Sequence, residues 1–277
     1  PSAWTAAQRG KPGWERAQYA GLETLARQIT VAGDINLYQA LYTRLTQYRQ
    51  HVGKLAYLRW PAHTPPQGYF LGVCRDVGEV RLIFESGQGI EAALPVSDRL
   101  VKWGPHHSLV QPPYVFLATI GPDPVDPARF ALRAAYVHPV LDVHTLVPVD
   151  SDLERQTLLQ LLEIGSWLER KKGVPLRVVK PLFNVYVPGE GSARAGDTVV
   201  MEPCRPDFVI EVGGQPVLTV ESMGRCDAEY MLRKSVTHPR MERIAPVVTH
   251  ETWRFATEDR DALNEQFRRL VAARILA

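Results

Sequence analysis

Pro206-Asp207-Phe208-Val209-Ile210-Glu211-Val212, then Gly213-Gly214-Gln215-Pro216, then Val217-Leu218-Thr219-Val220-Glu221, is the stretch from which the fold can be read. Two short apolar runs rich in β-branched residues flank a glycine pair, the signature of a β-hairpin. Asp207 opens one run and Glu221 closes the other. A carboxylate among residues suited to burial is costly unless it is paired or binds a cation. Parity decides whether the two acids meet. A two-residue turn at Gly213-Gly214 pairs 212 with 215 and sends Asp207 and Glu221 to opposite faces. A three-residue loop, Gly213-Gly214-Gln215, pairs 212 with 216 and sets Asp207 opposite Glu221, with Cβ atoms roughly 4.5–5.5 Å apart. Ionised carboxylates at that spacing repel, and a shared divalent metal relieves the repulsion. The three-residue loop therefore makes the hairpin a candidate site for metal-dependent phosphodiester hydrolysis.

Upstream of the hairpin, Ser151-Asp152-Leu153-Glu154 reads as a capping box, with Ser151 as N-cap and Glu154 reaching back. The helix that follows carries Leu158, Leu161, Gly165 and Leu168 on one face, and Lys171-Lys172-Gly173 closes it. A strand is expected across Leu176–Val187, then a loop rich in Gly and Pro leading to the hairpin. Downstream come a helix from Asp227 to about His238, ending or kinking at Pro239, and a strand over Pro246–Thr249. A last amphipathic helix bears Leu263, Phe267, Leu270 and Val271. The expected order from 151 onward is α-β-β-β-α-β-α.

The first half reads differently. Residues 14–52 have helical periodicity, with Asp34 as a plausible N-cap before Leu37, Leu41, Leu45, Tyr48 and Val52. From about 54 to 148 the pattern turns to short strands: 54–60, 69–74, 80–85, 114–120 and 130–138. Pro and Gly clusters punctuate them. The expected organisation is a helical segment at 1–53, a β-rich module at 54–148 and a further domain at 149–277, an α/β (α+β) chain overall.

Pro-Asp on the second strand and Glu on the third, in that element order, resemble the PD-(D/E)xK nuclease superfamily over roughly 151–277. The resemblance implies a restriction-endonuclease-like αβββαβ core and Mg²⁺- or Mn²⁺-dependent cleavage of phosphodiesters, DNA first. By the same resemblance Asp207 and Glu221 are metal ligands, helped by the backbone carbonyl of Ser222. The motif lysine would stand at Met223, so the chain departs from the pattern there. Some members supply that lysine from the next helix, where Lys234 shares a stripe with Tyr230, Thr237 and Met241. Its ammonium would orient the attacking water and stabilise the phosphate in the transition state. Members often add a Glu from the first helix, which makes Glu154 a further metal candidate beside its capping role. The displaced lysine also admits an alternative: a catalytically inactive nuclease-like fold used for nucleic-acid binding or assembly.

Composition sets bounds on these expectations. Hydrophobic residues make up 45% and charged residues 22% of 277, a globular balance. Net charge is +2, and 18 Lys+Arg oppose 18 Asp+Glu from 151 onward, which argues against coating nucleic acid by bulk charge. Cys74, Cys204 and Cys226 form no C-x-x-C pair, so a disulfide framework or structural zinc is not expected and a reducing cytoplasm is. No apolar run is long enough to span a bilayer, no signal pattern opens the chain, and no membrane partner is expected. The start at Pro1 reads as a trimmed N-terminus. A protein partner is assigned to the N-terminal module, and a homodimer is compatible with cutting both strands. His138, Asp142 and His144 read as isolated groups of a β module, and His106-His107 as a loop pair.

Overall fold

The computed structural model describes residues 68–85, 91–102, 110–122, 125, 130–143, 145–189 and 200–277, together with 27, 30–32 and 35–36. The chain divides into two compact units, Pro1–Ser151 and Asp152–Ala277.

In the first unit, β1 (Thr30–Ala32) and β2 (Ile35–Asn36) pair antiparallel inside the stretch read as helical. Thr30, Val31 and Ile35 are β-branched and favour extended backbone, which local helical periodicity does not override there. Apart from Arg27, which is helical, the remainder of the 14–52 expectation lies outside the described residues, as does the strand expected at 54–60. Six strands follow: β3 (Gly68–Cys74), β4 (Asp76–Val77), β5 (Arg81–Glu85), β6 (Glu91–Lys102), β7 (Tyr114–Pro122) and β8 (Phe130–Pro139). They form one sheet in the order β3-β7-β8-β6-β5-β4. Cys74, Leu82, Val96, Phe116, Ile120, Leu132 and Val137 are buried together in its core. The sequence reading misses β6, and the structure gives the reason. Residues 91–95 pair with β5, whereas Val96 to Lys102 run parallel to β8, with a register shift between Val96 and Arg99. Each half has one partner, so Pro95 and the polar run Ser97-Asp98-Arg99 fit where a doubly paired strand would reject them.

The second unit runs α1 (Asp152–Lys172), β9 (Leu176–Val179), β10 (Val185–Pro188), β11 (Met201–Cys204), β12 (Phe208–Val212), β13 (Gln215–Ser222), α2 (Ala228–Met241), β14 (Val247–His250) and α3 (Arg260–Leu276). A 3₁₀ turn over Thr252–Ala256 precedes α3. The central sheet has the order β14-β13-β12-β9, antiparallel except for the parallel pair β13–β14 across the α2 crossover. This is the expected order with one addition, the antiparallel β10–β11 ribbon. The single strand expected over 176–187 breaks at Lys180-Pro181, because proline cannot continue the ladder. α2 runs past His238 and holds Pro239 in its last turn. Leu158, Leu161 and Leu168 of α1, Phe267 and Val271 of α3, and Phe208, Ile210, Leu218 and Val220 of the sheet are buried. α1 packs on α3, β9 and β13. Burial of each such side chain contributes roughly 1.5–3 kcal/mol. No helix among the described residues is long and apolar enough to cross a membrane.

Candidate active site at the β12–β13 hairpin

Asp207 and Glu221 come together by a device other than the expected loop. The turn has two residues: Val212 pairs with Gln215, and Gly213 and Gly214 stand at φ +59° and +79°. Positive φ at both central positions is the type I′ hairpin turn. Alone it would send the two acids to opposite faces. The register then shifts by one, from Glu211↔Pro216 to Ile210↔Leu218, leaving Val217 as an extra residue. This β-bulge restores the parity that the short turn removes. Phe208 consequently pairs with Val220, and Asp207 lies next along β12 toward Glu221.

Main-chain groups lock the acids in place. The Asp207 N–H donates to Glu221 Oε1 at 3.1 Å, and the Ser222 N–H donates to Asp207 Oδ2 at 2.7 Å. The Glu221 side chain is 0% exposed, and Lys234 Nζ donates to its other oxygen, Oε2. Lys234 itself is 17% exposed. Burial raises the Glu221 carboxyl to about 7; Asp207 adds to the rise and Lys234 opposes it. For the Lys234 ammonium, burial pulls down, but Glu221 and then Asp207 carry it above its ordinary value. A lysine of α2 thus stands against Glu221, while the motif position itself holds Met223. Met223, at the motif position, is buried, and its Sδ lies 3.8 Å from the Tyr230 hydroxyl.

The opposite face of β13 is anchored separately. Thr157 Oγ1 of α1 lies 2.7 Å from Ser222 Oγ and 2.8 Å from His250 Nδ1, and the His250 ring stacks on Phe267 at 4.2 Å between centroids. Glu154 is buried here and pairs with Lys180, whose Nζ stands 5.6 Å from the Phe208 ring centroid. Side chains alternate along a strand, so Phe208 and Asp207 look to opposite faces, and Glu154 is not drawn in with Asp207 and Glu221. Among the described residues no three His, Cys, Asp or Glu side chains gather as a metal-binding group.

Tyr230, which the sequence places on one stripe with Lys234, receives Arg233 at 5.2 Å, Lys234 at 5.4 Å and Arg225 at 6.0 Å from its ring centroid. Sequence reasoning passes over two other neighbours of the site. Lys180 and Thr157 gave no signal, since each acts across a long sequence separation. His138 bonds its own neighbour's carbonyl and faces Asp150 at 3.6 Å, while Asp142 accepts the Thr145 N–H; both serve local structure.

Residues 3–140 match a family described as a domain of unknown function. A relative from Escherichia coli, described as an uncharacterized protein in the cib 5′ region, is 38% identical over 128 residues, 44% of this chain. The chain spans 55% of that relative's length. No solved structure matches. Residues 150–273 match the restriction endonuclease-like C-terminal domain family, the region that contains the hairpin, α1, α2 and the four-stranded sheet. The second half of this chain therefore has a restriction-endonuclease-like fold.

Proposed function

We propose that this domain hydrolyses phosphodiester bonds of nucleic acid, DNA first, with Asp207 and Glu221 holding a divalent cation and Lys234 as the electrostatic helper. The observation that carries the reading is the convergence of two carboxylates and one ammonium at the ends of β12 and β13. The donor set fits Mg²⁺ or Mn²⁺. Asp207 and Glu221 offer hard oxygens, the Ser222 carbonyl would add a third, and Mg²⁺ commonly takes one or two carboxylates while keeping several waters. When bound, the cation supplies Lewis-acid stabilisation of phosphate charge and lowers the pKa of the attacking water. The chain supplies the rest. Main-chain N–H groups of Asp207 and Ser222 hold the two carboxylates beside each other. Burial of Glu221 strengthens its attraction to any cation it meets. Lys234, whose ammonium pairs with Glu221, would offer that charge to the phosphate oxygens. Glu154 takes no part in this scheme; it neutralises buried Lys180. The first 148 residues would select substrate or bind a protein partner, and duplex cutting would pair two copies of the chain.

The test is cleavage of labelled single- and double-stranded DNA and RNA in Mg²⁺, in Mn²⁺ and in EDTA. Wild type is expected to cut in either metal and not in EDTA. Glu221→Ala should abolish cutting, and Lys234→Met should slow it on the order of 10²–10³-fold, as loss of one charge-stabilising group does. A wild type inert on every substrate, with the metals present, would turn the reading to a binding or assembly role for an inactive fold.

A further inference from the structure

Two of the cations on Tyr230, Arg233 and Arg225, are not used by the chemistry above. Asp227 caps α2 by accepting the Tyr230 N–H at 3.1 Å, and the same carboxylate holds Arg225 Nε at 2.7 Å. Tyr230 is half-buried, and its hydroxyl is held against Met223, beneath the site. The ring is thus a fixed plate carrying Lys234, Arg233 and Arg225. Lys234 is engaged by Glu221 and Arg225 by Asp227. Arg233 is exposed and forms no ion pair among the described residues. Like charges gathered around one ring repel, and a guanidinium held on an aromatic face keeps its N–H fork free for an anion.

We propose that Arg233, positioned by the Tyr230 ring, contacts a backbone phosphate beside the scissile one, with Arg225 as a second, weaker contact. This rests on the nuclease reading. The ligand class is the phosphodiester backbone, common to DNA and RNA; Arg233 reads charge and path rather than base sequence. The shared ring makes the placement specific: it sets Arg233 and Lys234 on one support, so a strand bound at Arg233 passes directly by the carboxylates.

The test uses the full chain and fluorescein-labelled DNA and RNA oligonucleotides, with binding followed by anisotropy in EDTA from about 50 to 200 mM salt. Arg233→Ala should weaken binding about tenfold at low salt, and the slope of log K against log salt should become shallower by about one. Arg233→Lys should restore the slope, because the charge returns without the stacked fork. Arg274→Ala on α3, an equal loss of charge elsewhere, should change neither. The arm, DNA or RNA, with the larger dependence on Arg233 identifies the backbone this site takes. Unchanged affinity and slope in Arg233→Ala, or a wild type that binds neither polymer, overturns the contact. Arg233-dependent binding by a wild type that never cuts in Mg²⁺ or Mn²⁺ would instead overturn the nuclease reading and leave the contact standing.

Discussion

His250 illustrates how a side chain outside the proposed chemistry holds the residues within it. Its ring lies between Phe267 and the edge of Phe255, and through Thr157 it is tied to Ser222, the neighbour of Glu221. Burial lowers its pKa to about 4, against a smaller opposing pull from Asn264, so the native imidazole is neutral. The unfolded chain takes up a proton near 6.5 that the native state refuses until about 4. Stability from this group is therefore complete above 6.5 and is lost as pH falls toward 4, by at most about 3 kcal/mol. His250→Phe keeps the stack and removes the titration. Urea denaturation at pH 7 and pH 5 should show wild type losing more stability than the variant between the two; equal losses would place the acid sensitivity elsewhere. At this scale the meeting of Asp207, Glu221 and Lys234 could be anticipated, because two carboxylates in apolar strands and a lysine on the Tyr230 stripe point to one place. Arg233 on Tyr230 was not, because an exposed basic residue on a helix is ordinarily a solvated one.

The hairpin shows where element-level reasoning succeeds and where it stops. Apolar runs around Gly213-Gly214 announce two strands, but loop length alone does not fix the facing of the acids, because a bulge reverses the parity that the two-residue turn sets. The bulge at Val217 is invisible in sequence, because Val217 is as good a strand residue as its neighbours. The two-residue turn is built on backbone that L side chains resist. A Cβ added at Gly213 or Gly214 meets nothing within 4 Å, so substitution there tests conformation alone. Gly213→Ala should cost roughly 1–2 kcal/mol, and Gly213→Asn less, since Asn tolerates the left-handed region. Urea midpoints measure both, and an alanine variant within about 0.5 kcal/mol of wild type would show that the turn is free to rearrange. Two other elements escaped for related reasons. β6 gains its pairing by switching partners at Val96–Arg99, and β11 pairs only with β10, to which no local pattern points. Long-range pairing decided both.

Over the whole molecule, the two units differ in how much of the proposed chemistry they hold. Asp207, Glu221, Ser222, Lys234 and the groups that fix them all belong to Asp152–Ala277. So do both helices that flank the buried strands, and a chain of that length can bury a core of its own. The near-neutral charge from 151 onward leaves this unit no bulk attraction for nucleic acid, so on the nuclease reading its affinity would come from local groups such as Arg233. A fragment of residues 150–277, which keeps Ser151 ahead of α1, should unfold in one cooperative transition by calorimetry and circular dichroism. On the nuclease reading it should also retain metal-dependent cutting, at raised KM for the substrate that the first 148 residues help to hold. Since kcat reports the chemistry and KM includes this added binding, the split between them separates the two units' roles. A fragment that melts without cooperativity would show that the second unit needs the first to fold. One that folds yet loses kcat, with KM unchanged, would place part of the chemistry in the N-terminal half.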